Sequence, residues 1–205
     1  MISLEDNLKR LESDLVAQPM RLAAHSDMPF AIFRYKPSDE FLLRKNLRLL
    51  AFSLSQNHHR EAVFVSISQL VWDIVKQCEG TEYLFKTEFT RGFKAAQEHI
   101  NRLLTSEDYR TAGKELISRI AKLDPAKNIL FLVRAGGFAP FIYTCSALLD
   151  DLQRQSLALH QPLVPSVLFY PGSAEVGTDL RFYDLPVEGS LGVYNYRVQI
   201  YGTER

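Results

Sequence analysis

Asn128-Ile129-Leu130-Phe131-Leu132-Val133 runs into Arg134-Ala135-Gly136-Gly137, and beyond an amphipathic stretch Val164-Pro165-Ser166-Val167-Leu168-Phe169-Tyr170 runs into Pro171-Gly172. Two apolar runs rich in β-branched and aromatic residues, separated by a helical pattern, read as strand, helix, strand, the unit of buried parallel sheets. Each run ends in a glycine turn, and ligands of such sheets sit beyond the carboxyl ends of the strands. Neither turn carries a nucleophile with its base, a metal-ligand cluster or a complete phosphate loop. The residues by themselves therefore specify no reaction.

Working outward, Leu4, Leu8, Leu11 and Leu15 recur at helical spacing among charged residues, predicting an amphipathic helix over residues 1–18. Such a stripe packs on its own core or serves as a partner-binding or dimer-forming helix. Pro29 to Tyr35 suits a first strand stopped by Pro37, followed by a helix to about Gln56 whose apolar residues Phe41, Leu43, Leu47, Leu50 and Leu54 face a sheet. Glu61 to Ile67 supplies a second strand and Gln69 to Cys78 a short helix. One helix is predicted from Thr81 to about Leu104 and another from a cap at Ser106 to Leu123, making residues 81–123 a helical insertion between the second and third strands. A helix over Phe141 to Gln155 precedes the fourth strand, and Leu180–Tyr183 and Tyr196–Tyr201 are terminal strand candidates. The expected architecture is one α/β domain, residues 1–205, with a mainly parallel central sheet of about five strands.

Length is compatible with a single domain. Lysine plus arginine equals aspartate plus glutamate at 24 each, so no whole-chain field attracts nucleic acid or an anionic membrane. Cys78 and Cys145 form neither a CxxC pair nor an obvious zinc set. The first residues lack the pattern of a secretory signal, and no apolar run approaches the ~20 residues that span a bilayer. A soluble cytoplasmic protein without cofactor or metal is expected.

Arg134, Gly136 and Gly137 stand at a strand-to-helix turn where free amides can hold an anion, although the same glycines suit a positive-φ turn with close helix packing. Tyr170-Pro171-Gly172 has the composition of a tight turn. If both turns face one side, Arg134, Tyr170, Gly172 and the segment from Ser173 to Asp179 line a cleft. His58-His59 fit a helix end better than a metal site, and Asp150-Asp151 with Arg154 fit an exposed ion pair better than paired catalytic carboxylates. Lys86, Arg91 and Lys94 put positive charge on the insertion, with Glu82, Glu88 and Glu98 interleaved. Trp72 and Cys145 read as core.

Several phrases occur in an order that resembles one family: Leu4-Glu5-Asp6 with its leucine stripe, Phe30 to Tyr35 with Pro37, Phe131-Leu132-Val133-Arg134-Ala135-Gly136 with Pro140-Phe141, and Leu148-Leu149-Asp150-Asp151-Leu152-Gln153. They continue with Pro165 to Gly172, Leu180-Arg181-Phe182 and Tyr196-Arg197-Val198-Gln199-Ile200-Tyr201. The pattern resembles the BrxB family, small accessory proteins of bacteriophage-exclusion (BREX) defence systems. Its specificity rests on the F-Y-P-G phrase combined with the closing Y-R-x-x-I-Y, and Gln69 to Leu123 contributes no phrase. The resemblance implies an antiphage system with a DNA methyltransferase, a large ATPase and a phosphatase-like PglZ protein, and it brings no catalytic residue. The function expected is a non-catalytic assembly component contacting the PglZ-like protein, with Arg134, Tyr170 and Arg197 as partner-binding candidates. The alternatives are a nucleotide-binding α/β domain with a degenerate phosphate loop, and a subunit that touches DNA through Lys86, Arg91 and Lys94.

Overall fold

The computed structural model describes residues 3–22, 29–106, 108–109, 111–139, 141–159, 163–174, 180–182 and 199–202. In chain order the elements are α1 (Leu4–Val16), β1 (Phe30–Tyr35), α2 (Glu40–His58), β2 (Glu61–Ser66), α3 (Ile67–Cys78), α4 (Gly80–Arg91) and α5 (Phe93–Thr105). There follow α6 (Ala112–Ile120), β3 (Asn128–Val133), α7 (Cys145–Leu159), β4 (Ser166–Ala174), β5 (Leu180–Phe182) and β6 (Gln199–Tyr201). The strands run in the order β2-β3-β4-β1-β6, and β5 pairs with the end of β4. β1 is parallel to both β4 and β6, and β3 is parallel to β4, whereas β5 is antiparallel. This is the α/β, mainly parallel, Rossmann-like arrangement the apolar runs predict, with helices α3 to α6 inserted between β2 and β3.

The chain gathers into two compact units, one of Met1–Val65, Leu123–Val133 and Gln161–Arg205, the other of Ser66–Lys122 and Arg134–His160. The first holds the sheet with α1 and α2. Ser3 caps α1 by accepting from the Asp6 amide, and Glu5 and Asp6 sit in the electropositive first turn. Leu8, Leu11 and Leu15 of α1 and Leu43, Leu47, Leu50 and Leu54 of α2 share one core with Ala31, Phe33, Tyr35, Ile129, Phe131, Val167, Phe169 and Tyr201. The residues contributed by β1, β3 and β4 are all odd-numbered, as period-two alternation requires of one sheet face. On the other face Ile32, Leu130, Leu132 and Leu168 are buried too, the condition under which parallel sheets form.

Tyr201 donates a hydrogen bond from its hydroxyl to Asp14 of α1 at 2.9 Å, joining the sheet's last strand to the first helix. Gly202 follows with φ +82, and a Cβ there would stand 2.4 Å from the Arg34 carbonyl oxygen, so glycine alone lets the backbone pass this close to β1.

Four boundaries differ from the sequence reading. The helix expected over Thr81 to Leu104 is broken at Gly92, whose φ of +85 ends α4 and redirects the chain into α5. The next helix starts after Thr111, whose hydroxyl accepts from the Lys114 amide, instead of at Ser106. Helix α7 begins at Cys145 rather than Phe141. Finally, Tyr170-Pro171-Gly172 is strand and not a tight turn: Pro171 forms the last pair with Tyr35 of β1, and Gly172 already pairs with Phe182 of β5. The proline stands where the ladder passes from one neighbour to the next, a place where a missing amide is tolerated.

Leu11 and Leu15 are fully buried, so α1 is part of the core and not a free docking helix. Leu11→Ala is expected to lower unfolding free energy by about 2–5 kcal/mol in a denaturant titration; a loss below about 0.5 kcal/mol would mean that α1 is not packed as described.

Candidate interaction surfaces

The turn after β3 shows what its residues do. Arg134 itself takes the left-handed conformation, at φ 56, and Ala135–Phe138 wind into a 3-10 turn. Neither Gly136 nor Gly137 has positive φ. Gly137 serves close packing, since a Cβ there would lie 2.6 Å from Ser68 Cα at the start of α3, and the Ser68 hydroxyl donates to the Arg134 carbonyl at 3.3 Å. With α7 beginning only at Cys145, the amides around Gly136 belong to a short turn and carry no long-helix dipole. Arg134 is exposed.

Tyr170 lies elsewhere than anticipated. It is fully buried, because it shares the buried face of β4 with Leu168, and its surface placement is corrected to core. Gly172 is also buried. Arg197 and residues 175–179 of the anticipated cleft fall outside the described residues.

Several polar groups of the second unit are occupied in holding helices together. Arg119 of α6 donates to Asp73 of α3 at 2.6 Å and to Glu115 one turn back at 2.8 Å, while Gln69 donates to Asp73 at 2.7 Å. The hydrogen bond from Arg119 holds the Asp73 carboxyl below the usual carboxylate range against the opposing effect of burial. Tyr143 donates to Asp151 at 2.6 Å, and burial first, then that hydrogen bond, raises its phenol. Arg154 donates to the other Asp151 oxygen, the ion pair the sequence suggested. Burial pushes the Cys145 thiol up to about 12, leaving it inert as a nucleophile near neutrality. His99 is buried with Nε2 3.0 Å from Glu79, out of line for a hydrogen bond, and Arg102 within 3.3 Å of Nδ1. Among the described residues no three His, Cys, Asp or Glu side chains are grouped to hold a metal ion, and no helix is long and apolar enough to cross a membrane.

What the sequence reading missed is apolar surface. In the second unit Phe85 and Phe89 lie one turn apart on α4 and Phe93 opens α5 across the Gly92 joint, all exposed, Phe89 at 93 %. Trp72 and Ile142 are exposed as well, so Trp72 is not core. In the first unit Phe41, Leu42, Leu49 and Phe52 of α2 point outward, which corrects the inward placement of Phe41. A signal was present in both helices. Tyr83-Leu84-Phe85 and Phe41-Leu42-Leu43 are consecutive apolar residues, and a helix resting on one core cannot bury all of them. Lys86, Arg91 and Lys94 are exposed beside the α4–α5 aromatics, together with Glu82, Glu88 and Glu98.

A family model described as "BREX protein BrxB" matches residues 63–200, more than half of the chain, including the α3–α6 insertion. Neither curated proteins nor solved structures gave a match.

Gly137→Ala should cost about 1–3 kcal/mol, because the new methyl meets the Ser68 backbone and not a movable side-chain tip; unchanged urea unfolding would refute the close approach. Asp73 has a depressed folded-state pKa, so its pairing stabilises above the unfolded value of about 3.9. That contribution is lost as pH falls through the lower folded value. Arg119→Met is thus expected to melt below wild type at pH 7, with the gap shrinking as pH falls below about 3.9 in thermal scans.

Proposed function

The chain belongs to the BrxB family of BREX phage-defence proteins, and we propose that within such a system it is a non-catalytic assembly component that contacts the PglZ-like protein. The observation that supports this reading is the exposed aromatic surface of Phe85, Phe89 and Phe93, carried on consecutive helices inside the family match. Exposed apolar clusters of this kind mark protein–protein contacts, and aromatic side chains dominate the energetics of such contacts. The chemistry-bearing groups point the same way: Asp73, Arg119, Glu115, Tyr143 and Asp151 are engaged with one another, and the Cys145 thiol is buried.

The other two readings draw on weaker features. The nucleotide reading needs a phosphate cradle at Gly136-Gly137, yet Gly137 is consumed in packing on Ser68. The DNA reading needs an unbroken positive surface, yet exposed acidic residues interrupt Lys86, Arg91 and Lys94. Cytoplasmic location and contacts with the methyltransferase or ATPase belong to the same proposal.

Co-expression of the tagged chain with the other proteins of the system, followed by size-exclusion chromatography, should show it travelling with the PglZ-like protein. Phe85→Ser/Phe89→Ser should weaken that co-migration at least tenfold while leaving the circular dichroism spectrum unchanged. Elution of the wild-type chain alone, or turnover of a substrate by the purified chain, would overturn the proposal.

A further inference from the structure

Helix α2 is apolar on two sides. Leu43, Leu47, Leu50 and Leu54 are spent in the core of the first unit, yet Phe41 is 80 % exposed, Leu49 60 % and Phe52 67 %, with Leu42 beside them. Phe41, Lys45, Leu49 and Phe52 follow one another at spacings of four, four and three, so they form a single line along the outer face. At 1.5 Å per residue that line is about 16 Å long, roughly three helical turns. This is the footprint of one helix lying against another.

Beyond Glu40, which pairs with Arg44, the charges that α2 itself contributes are all of one sign, and Glu12 of α1 touches only its flank, at Ser53. Between Phe41 and His58 the helix holds Arg44, Lys45 and Arg48 and no Asp or Glu, although the chain as a whole is neutral. Arg44 is paired with Glu40 at 2.7 Å and its guanidinium lies 5.4 Å from the Phe41 ring centre, which steadies that end of the line. Lys45 and Arg48 are exposed and make no ion pair among the described residues. Lys45 stands inside the apolar line, between Phe41 and Leu49. A partner that covers the line is therefore favoured when it brings an opposite charge to that point, because otherwise the Lys45 ammonium has to be carried out past the covered apolar side chains to stay hydrated.

We infer that the outer face of α2 docks an acidic amphipathic helix of another protein, one that interleaves Glu or Asp with apolar residues at three- and four-residue spacing. The inference rests on the reading of the chain as an assembly component and names a surface of the first unit, whereas the α4–α5 aromatics belong to the second. A second copy of the chain is disfavoured, since pairing two such faces sets Lys45 and Arg48 against their own kind. An anionic membrane is disfavoured by the position of Lys45. In interfacial helices the cations occupy the polar face, whereas here one sits amid the side chains that would enter the acyl region.

The test has two arms, each with the full chain and its Lys45→Glu/Arg48→Glu and Phe41→Ser/Phe52→Ser variants, all exposed positions whose folding is checked by circular dichroism. In the first, fluorescence anisotropy follows a labelled helical peptide of repeating Leu and Glu, with its Leu and Lys counterpart and phosphatidylserine–phosphatidylcholine vesicles as controls. The acidic peptide should bind, weaken at least tenfold in both variants and weaken with salt. Binding to the vesicles alone, equal binding of both peptides, or acidic-peptide binding indifferent to the variants would overturn the inference, as would a wild-type dimer that the Phe41→Ser/Phe52→Ser change dissociates in sedimentation. The second arm repeats the co-expression. If the system's proteins still travel with the wild-type chain but equally with both variants, the α2 surface is wrong and the assembly reading stands; if they travel with neither wild type nor variants, the assembly reading itself fails.

Discussion

Five rings cross the sheet in one row: Phe64 of β2, Phe131 of β3, Phe169 of β4, Phe33 of β1 and Tyr201 of β6, with neighbouring centres 5.4, 5.2, 5.5 and 6.3 Å apart. Each contact contributes about 0.5–1.5 kcal/mol beyond the area it buries. Together they amount to a few kcal/mol, a sizeable part of the ~5–15 kcal/mol by which a domain is stable. The row also sets register, since sliding any strand by one residue would carry its ring to the opposite face. A parallel sheet with so much aromatic surface needs a lid over the row. Helices α1 and α2 supply it through Leu8, Leu11 and Leu15 and through Leu43, Leu47, Leu50 and Leu54. Tyr201 takes part twice, as the last ring of the row and as hydrogen-bond donor to Asp14 of α1.

The second unit is held differently. Its helices are short, and α4 buries little beyond Leu84. Specific polar links fix their arrangement: Arg119 spans α3 and α6, Asp151 receives Tyr143, and the Ile142 amide donates to Asn101 of α5 at 2.9 Å. Gly113 lies so close to Asp151 that a Cβ would come within 2.4 Å of its carboxylate, bringing α6 and α7 into near contact. Of the exposed aromatic residues of α4 and α5, Tyr83 lies against His99 with ring centres 5.0 Å apart, whereas Phe85, Phe89 and Phe93 remain exposed.

Strong periodicity was legible, and anything set by packing choice was not. The leucine stripe of α1, the unbroken apolar runs of β1, β3 and β4, and the long α2 follow from the sequence alone because burial and residue pattern agree there. Gly92 falls inside the single helix expected over Thr81 to Leu104, and its φ of +85 depends on how α5 packs against α4. Pro171-Gly172 carried turn composition, but the pairing of Gly172 with β5 lies beyond what local sequence encodes. Tyr170 was misplaced because a strand end suggests exposure, whereas a parallel sheet buries both faces out to the last paired residue. At Arg134 the sequence pointed to the glycines for the strained conformation, and the structure gives it to the arginine.

Runs such as Phe41-Leu42-Leu43 and Tyr83-Leu84-Phe85 show where periodicity stops being informative. In each run only the third or the middle residue is buried, Leu43 in α2 and Leu84 in α4, and the flanking side chains turn to the surface. A single large exposed hydrophobe needs no explanation, but a line of them on a helix whose opposite side is already spent does. In α2 the inner face is fixed by the aromatic row it covers, so the helix cannot roll to bury Phe41, Leu49 and Phe52 without uncovering the core. The outer apolar line is therefore a consequence of the sheet's own packing, and the described residues of this unit leave it exposed to water.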